Sequence, residues 1–131
     1  MNKEFATYEQ SLALKQLGFD EPCFGIYFNL TKQLVQRIYD DTRPFDKEYF
    51  TLAPLKQQVF KWFREKHKLF PEIASYTEKY MDGKVKFNFE IRDNGEQYEF
   101  EEGPWISYEE AESACIDKLI EIVKNGTEIN T

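Results

Sequence analysis

The segment from Val85 to Val123 constrains the fold of this chain more than any other. Apolar and polar residues alternate from Val85 to Arg92, which is the period-two pattern of a strand with one buried face. Asp93-Asn94-Gly95-Glu96 follows. Asn-Gly favours a hairpin because both central residues of such a turn adopt positive φ, which asparagine and glycine tolerate. This stretch therefore predicts a β-hairpin.

The second strand of that hairpin continues the alternation. It is expected to place Tyr98 and Phe100 on the buried face of the sheet. Their neighbours Glu99 and Glu101 are then expected to face solvent. The pattern favours a sheet with one covered face.

A capping box precedes the last helix. In Ser107-Tyr108-Glu109-Glu110, Ser107 is expected to accept from the amide of Glu110, whose side chain reaches back toward the cap. The helix is predicted to end at Asn125-Gly126, and residues 127–131 are expected to form a frayed tail. Its apolar side comprises Tyr108, Cys115, Ile116, Leu119, Ile122 and Val123.

Two further helices are predicted nearer the start of the chain. Thr7-Tyr8-Glu9-Gln10 is a second capping box, and its helix is expected to run to Leu17 and stop at Gly18. Pro54 suits the first turn of the other helix, where its missing amide costs nothing. That helix is expected to end near residues 67–69, before Pro71, and its apolar face comprises Leu55, Val59, Trp62 and Phe63.

The remaining strands are less regular. Cys23–Phe28 and Leu34–Tyr39 are predicted to pair through a polar turn, residues 40–49 to form an exposed loop, and Ile73–Tyr80 to join the hairpin through Asp82-Gly83. The predicted order is α-β-β-α-β-β-β-α. It indicates one α+β domain over residues 1–126, with helices packed on one face of an antiparallel sheet.

Composition places the protein among cytoplasmic globular domains. An aromatic content of 17% in 131 residues favours a packed core, and no apolar run is long enough to span a membrane. Met1-Asn2-Lys3-Glu4 leads into polar sequence rather than a signal peptide, so we expect a cytosolic location. Cys23 and Cys115 lie far apart with apolar neighbours, and we expect buried free thiols rather than a disulfide or metal site.

Charge is the one unevenly distributed property. Residues 90–112 hold nine acidic side chains and one arginine, whereas the whole chain has a net charge of −7. One interpretation is structural, because acids protect an edge strand from pairing and oppose the dipole at a helix N-terminus. The other is a docking surface for a basic partner. We call the residues proposed for it the acidic surface: Glu96, Glu99, Glu101, Glu102 and Glu109.

Two residues are candidates for chemistry. Glu112 falls on the predicted buried side of the last helix, where burial would raise the pKa of a carboxyl and suit it to acid or base catalysis. His67 is the only histidine, and its position near a helix C-terminus favours the protonated ring. The structural interpretation is the favoured one for each residue: Glu112 lies in the first turn of its helix, where its carboxylate can reach water, and the dipole at a helix C-terminus accounts for His67. The sequence offers no nucleophile motif, phosphate-binding glycine loop or metal-ligand spacing.

Three stretches together resemble a group of small proteins from Bacteroidetes bacteria and their phages or prophages. They are Phe19–Gly25, Ala53–Lys66 and Tyr108–Lys124, which cover the N-terminal third, the middle helix and the last helix. The resemblance implies an intracellular protein encoded by a mobile element, with an accessory role on a host component. It supplies no catalytic or cofactor-binding residue.

These observations favour a non-catalytic accessory protein that binds a basic host protein through the acidic surface. No cofactor or metal is expected, and the net negative charge disfavours nucleic acid as a partner. The alternative is a small-ligand-binding protein or enzyme with a pocket between sheet and helices, using Glu112 or His67.

Overall fold

The computed structural model describes residues 3–36, 48–77, 83–93 and 97–129, and within these only the backbone of 97–104 and 127–129. The described residues form three helices and six strands. In chain order these are α1 Tyr8–Gln16, β1 Gly25–Phe28, β2 Leu34–Gln36, β3 Phe50–Leu52, α2 Lys56–His67, β4 Leu69–Thr77, β5 Val85–Asp93, β6 Gln97–Trp105 and α3 Tyr108–Ile129.

The α+β class is confirmed, with two differences from the predicted arrangement. The described strands form two antiparallel sheets, β2-β1-β3 and β4-β5-β6, rather than one. The additional strand is β3, which precedes α2 and changes the order to α-β-β-β-α-β-β-β-α. Three residues are too few to show a period in sequence, and β3 exists because it pairs with β1, with Phe28 opposite Phe50, 22 positions later.

Helix α1 begins and ends as its local sequence signals predicted. The Thr7 hydroxyl accepts from the Gln10 amide at 3.1 Å, and the Gln10 side chain accepts from the Thr7 amide at 2.9 Å, which completes the capping box. The helix ends at the Leu17 C-cap, and Gly18 follows at φ +100°, a conformation that favours glycine.

The sheet β2-β1-β3 is held against the N-terminal segment. Tyr27 pairs with Leu34 on one side and with Thr51 on the other. Phe5 forms an isolated antiparallel bridge with Leu55, and the Ala6 amide donates to the carbonyl of Pro54 at 2.9 Å. The N-terminal segment thus pairs with the residues that immediately precede α2.

Helix α2 begins two residues after its proline. Leu55 is the N-cap and makes no side-chain cap, so Pro54 lies outside the helix. The first helical amide, that of Lys56, donates instead to the carbonyl of Glu4 at 2.8 Å. The helix ends at His67, as predicted, with Lys68 in the left-handed conformation at φ 55°.

Strand β4 starts earlier than predicted, because it begins at Leu69 and contains Pro71. We expected Pro71 to mark an interruption before a strand at Ile73. Proline is tolerated in an edge strand, where its missing amide faces away from the neighbouring strand, and β4 is the edge of its sheet.

The hairpin register differs from the one that a two-residue Asn-Gly turn would produce. Asp93 pairs with Gln97, so three residues separate the last pair. Glu99 and Glu101 therefore lie opposite the buried Ile91 and Phe89, whereas a two-residue turn would have brought Tyr98 and Phe100 there. The turn itself, residues 94–96, lies outside the described residues. So do residues 40–47 of the predicted Asp40–Tyr49 loop and Asp82 of the predicted Asp82-Gly83 turn.

Helix α3 begins with its predicted cap. The Glu110 amide donates to Ser107 Oγ at 3.1 Å, and the Glu110 carboxylate accepts from the Ile106 amide at 3.2 Å, one residue before the expected donor. The helical backbone continues to Ile129, so the predicted end at Asn125-Gly126 is wrong. Glycine lowers helix stability by only about 1 kcal/mol relative to alanine, which does not oblige a helix to stop.

The main core lies between β4–β5 and the helices. Phe63 of α2, Phe89 and Ile91 of β5, and Leu119 of α3 are almost fully buried within it. A smaller cluster of Phe5, Tyr27 and Ala53 joins the N-terminal segment to the other sheet. In the part of the chain that is described, no helix has the length and apolar character needed to cross a bilayer.

Candidate functional site

The acidic surface is described only in part. Glu96 lies outside the described residues, and Glu99, Glu101 and Glu102 are described by backbone alone, in edge strand β6. Glu109 lies half-buried in the first turn of α3. The strand and the helix start that carry these acidic residues are therefore consecutive elements of the chain.

Glu112 lies on the buried side of α3, as its helical position predicted, and only 5% of its surface is exposed, so it is more buried than the structural interpretation expected. Its Oε2 accepts from Nε2 of Gln57 in the first turn of α2 at 2.6 Å. Burial raises the pKa of the Glu112 carboxyl, and the Gln57 hydrogen bond and the positive charge of Lys56 oppose that rise. The predicted direction of the pKa shift is confirmed.

Lys56 is a second buried charge that the sequence did not reveal. It is also 5% exposed, and its Nζ donates to the backbone carbonyl of Glu109 at 3.2 Å. Burial lowers the pKa of the Lys56 amine, whereas Glu112 and Glu109 favour its charged form. Lys56, Gln57, Glu109 and Glu112 together form a polar contact that ties the start of α2 to the start of α3.

His67 occupies the last position of α2, as expected, but its environment differs from the expected one. The ring is half-buried, with its centroid 4.9 Å from that of Trp62 and 5.6 Å from that of Phe63. Burial lowers the pKa of His67, the opposite of the direction that a helix C-terminus favours. The contacts indicate a packing role.

Both cysteines are free and buried, in agreement with the prediction. Burial, reinforced by the charge of Glu21, raises the pKa of the Cys23 thiol to about 12. Burial also raises the pKa of Cys115, with Glu112 as a second cause. A thiol that stays protonated at neutral pH is a poor nucleophile. No group of three or more metal-ligating side chains occurs among the described residues.

A polar groove of about 270 Å³ lies between α1 and α3. Its most buried member is Gln10, which is 4% exposed and whose Nε2 lies 3.0 Å from both the carbonyl and the hydroxyl of Ser113 and 2.9 Å from Asp117 Oδ1. The same amide completes the α1 capping box, so its hydrogen-bonding groups are occupied. This groove joins two helices and has no buried group without a partner.

A larger, apolar groove of about 610 Å³ lies where the β1–β2 turn meets the start of β3. We call it the apolar groove, and its lining residues are Phe28, Asn29, Leu30, Glu48, Tyr49 and Phe50. Leu30 is 96% exposed and Tyr49 is 62% exposed, so both side chains at the rim of the groove are open to solvent. The ring centroids of Phe28 and Phe50, two of its lining residues, lie 5.0 Å apart.

Hydrogen bonds hold the polar part of the apolar groove in position. Asn29 Nδ2 donates to the carbonyl of Glu48 at 2.8 Å, and Asn29 Oδ1 accepts from Thr51 Oγ1 at 2.5 Å and lies 3.3 Å from the Tyr8 hydroxyl. The Asn29 amide donates to the carbonyl of Tyr49 at 2.9 Å. The groove is thus built on two paired strands and α1.

The sequence patterns did not predict the apolar groove. Leu30 lies within a segment that was predicted as a polar turn, and Tyr49 closes a predicted exposed loop. The available signal was the presence of large apolar residues, Leu30 and Tyr49, in segments predicted to be solvent-exposed. Their convergence depends on the β1–β3 pairing, which brings positions about 20 residues apart together.

Neither of these two grooves is lined by Glu112 or His67. The two candidate residues lie in different environments. Glu112 is a buried carboxyl beside the amide of Gln57, and His67 is a ring between aromatic side chains.

Comparison with known proteins returned no matching protein family, no similar curated protein and no similar solved structure.

Proposed function

We propose that this protein is a non-catalytic accessory protein that acts by binding another protein. The observation that carries the proposal is the apolar groove, whose side chains Leu30 and Tyr49 are mostly exposed. Contiguous exposed apolar side chains are costly in water, and on monomeric proteins such patches commonly mark interaction sites. Aromatic side chains are also enriched among the residues that dominate binding energy.

The acidic surface is the second element of the proposal. Its residues Glu99, Glu101 and Glu102 belong to edge strand β6, and Glu109 opens α3. An acidic face adds to specificity and to the association rate for a basic partner more than to affinity itself. We propose that this surface steers a basic protein, while apolar contacts hold it.

The expected cellular setting belongs to the same proposal. The resemblance to Bacteroidetes and phage proteins suggests an accessory protein of a mobile element that acts in the cytoplasm on a host component. The net charge of −7 makes a basic protein a better partner than nucleic acid.

A small-ligand or enzymatic role is the weaker alternative. The raised pKa of Glu112 favours it, because perturbed carboxyl groups are common in active sites. However, Glu112 is 5% exposed and hydrogen-bonded to Gln57, and the structural contact between α2 and α3 already explains both its burial and its shift.

Affinity capture from a Bacteroidetes lysate tests the proposal. We expect the wild-type protein to retain a stoichiometric partner that Leu30→Ser releases, because that change removes an exposed apolar side chain. Val85→Ser is the matched control, since Val85 is 52% exposed on the other sheet, and it should retain the partner.

A separate variant tests the acidic surface. Replacement of Glu99, Glu101 and Glu102 by lysine should release the partner if the surface steers binding. Unchanged capture by this triple variant would remove the acidic surface from the proposal. Equal capture by wild type, Leu30→Ser and the triple variant, or no capture at all, would contradict the proposed function.

A further inference from the structure

We infer that residues 4–6, which we call the N-terminal strap, hold the sheet β2-β1-β3 closed as a unit that opens on its own while the main core stays folded. This inference goes beyond the proposed function and does not depend on it, because it rests on contacts within the chain. Three features support it: two separate clusters of buried side chains, the pairing of the strap, and the hydrogen bond that caps α2.

The two sheets bury their apolar side chains in different clusters. Strand β5 contributes Phe89 and Ile91 to the main core. Strand β1 contributes Tyr27 to the smaller cluster, and the strap joins both clusters because Phe5 belongs to the smaller one and Ala6 to the main core. A segment that loses few buried apolar contacts opens at a lower free-energy cost than the whole domain. The sheet β2-β1-β3 is therefore the part of the fold that should open first.

The strap contacts the sheet and the residues that follow it. Phe5 forms an antiparallel bridge with Leu55, and the Ala6 amide donates to the carbonyl of Pro54 at 2.9 Å. The Tyr27 hydroxyl donates to the carbonyl of Ala6 at 2.5 Å. These contacts connect β1 to the segment between β3 and α2 through the strap. Loss of the strap would thus release the sheet at both of these points.

The strap also caps α2. The N-cap Leu55 makes no side-chain hydrogen bond, and the amide of Lys56 donates to the carbonyl of Glu4 at 2.8 Å. The amide of Val59, one turn further along, donates to the carbonyl of Leu55 at 3.0 Å. Release of the strap therefore frees the Lys56 amide and leaves the helical bond of Val59 intact. The Lys56 amide reports the state of the strap.

Helix α1 stays with the main core when the strap opens. Leu14 is fully buried in that core, and the Gln10 amide contacts Ser113 and Asp117 of α3. The first turn of α1 reaches the sheet through Tyr8, whose ring centroid lies 5.6 Å from that of Tyr27. The unit that opens thus comprises the strap and the three short strands.

The apolar groove belongs to the unit that opens. Phe28 lies in β1 and Phe50 in β3, and the two residues are paired across these strands. Separation of β1 from β3 would move these two lining residues apart. The strap is therefore a conformational device that determines whether the apolar groove is formed.

Native-state hydrogen exchange followed by nuclear magnetic resonance tests the inference. In the wild-type protein, we expect the Ala53 amide, which donates to the carbonyl of Gly25, to be at least about tenfold less protected than the amides of β5. The Lys56 amide should match the Ala53 amide, because both depend on the closed unit. The Val59 amide should match β5, although it lies only three residues from Lys56.

Two substitutions separate opening of the sheet from global unfolding. Val59→Ala removes buried volume from the main core, so it should accelerate exchange in β5 about tenfold and leave the Ala53 and Lys56 amides unchanged. Tyr27→Phe removes the hydroxyl that contacts the strap and should accelerate exchange at Ala53 and Lys56 about tenfold. Tyr108→Phe, at an exposed position of α3, is the matched control and should change none of these rates.

Three results would overturn the inference. Equal protection of the two sheets in the wild type, or equal acceleration of both by Val59→Ala, would show that the chain opens only as a single cooperative unit. Protection of the Lys56 amide at the level of Val59 would show that the sheet opens without the strap. Unchanged exchange at Ala53 and Lys56 in Tyr27→Phe would show that the strap does not hold the sheet closed.

Discussion

Gln57 Nε2 donates to Glu112 Oε2 over 2.6 Å and thereby joins the first turn of α2 to a buried carboxylate of α3. Lys56, the neighbour of Gln57, reaches the same helix through the carbonyl of Glu109. Two buried charges thus meet at one helix–helix contact. Buried charges stabilise a fold only when hydrogen bonds and opposite charge compensate their lost hydration, so this contact should respond to pH.

Neutralising Glu112 should stabilise the protein at neutral pH. The pKa of Glu112 is raised in the folded state, so its contribution to stability is fully present below the pKa of the unfolded chain and is lost as pH rises through the folded-state pKa. Glu112→Gln keeps an acceptor for Gln57 and removes the charge. We expect urea denaturation at about pH 7 to show a gain on the order of 1 kcal/mol, which disappears toward acidic pH.

Glu121→Gln provides the matched control, because Glu121 is exposed on the same helix and pairs with Lys118 only at the surface, at 3.7 Å. That change should leave the pH profile of stability unaltered. A Glu112→Gln protein that is less stable than wild type at neutral pH would show that the attraction of Lys56 outweighs the burial of the carboxylate.

Removing the Gln10 side chain should weaken the contact between α1 and α3. Gln10→Ala deletes the amide that contacts Ser113 and Asp117 and leaves those partly buried groups without their partner. We expect a loss of about 1–3 kcal/mol in the free energy of unfolding. Gln16→Ala, at an exposed position of the same helix, should change it by less than about 0.5 kcal/mol. Equal losses in the two variants would show that these contacts contribute little.

A side chain at position 25 should disrupt the sheet β2-β1-β3. A Cβ on Gly25 would lie 3.0 Å from Phe5 Cε1, 3.2 Å from Leu34 Cδ1 and 3.3 Å from the Val35 carbonyl oxygen. We expect Gly25→Ala to cost about 1–3 kcal/mol in thermal or chemical denaturation. Gly126→Ala, which meets no atom within 4 Å on α3, should instead stabilise by up to about 1 kcal/mol. If Gly25→Ala were neutral, the close approach of Phe5 would be easily relieved.

Both thiols should be unreactive in the native protein. The pKa of Cys23 is raised to about 12 and that of Cys115 is raised as well, so neither forms appreciable thiolate at neutral pH. Dithionitrobenzoate should label the folded protein slowly, on the timescale of unfolding, and should label both cysteines at once in guanidinium chloride. Rapid labelling of one thiol without denaturant would reveal an exposed site and contradict the burial.

Local signals in the sequence were reliable where the interacting residues lie within a few positions of each other. The Thr7–Gln10 capping box, the Gly18 stop and the apolar face of α2 that holds Val59 and Phe63 all formed as predicted. The burial of Glu112 also followed from helical periodicity, because one helical wheel places it beside Cys115 and Leu119.

Errors arose where a remote partner decides the structure. Pro71 does not interrupt β4 because that strand is an edge, which depends on the order of the whole sheet. Strand β3 was missed because its stability comes from pairing with β1. The hairpin register differs by one residue from that of a two-residue turn, and it places Glu99 and Glu101, rather than Tyr98 and Phe100, opposite the buried Ile91 and Phe89, against what the alternation in the sequence predicted.

The sequence by itself determined the α+β class, the starts of α1 and α3, the burial of Cys23 and Cys115, and the placement of Glu112 on the buried side of α3, because capping and periodicity act over one or two turns of chain. Only the tertiary structure decided that there are two sheets, that Lys56 is buried against Glu109, and that Phe28 and Leu30 meet Tyr49 in the apolar groove. These features depend on contacts between residues far apart in the chain, whose pairing is chosen by the packing of the whole domain.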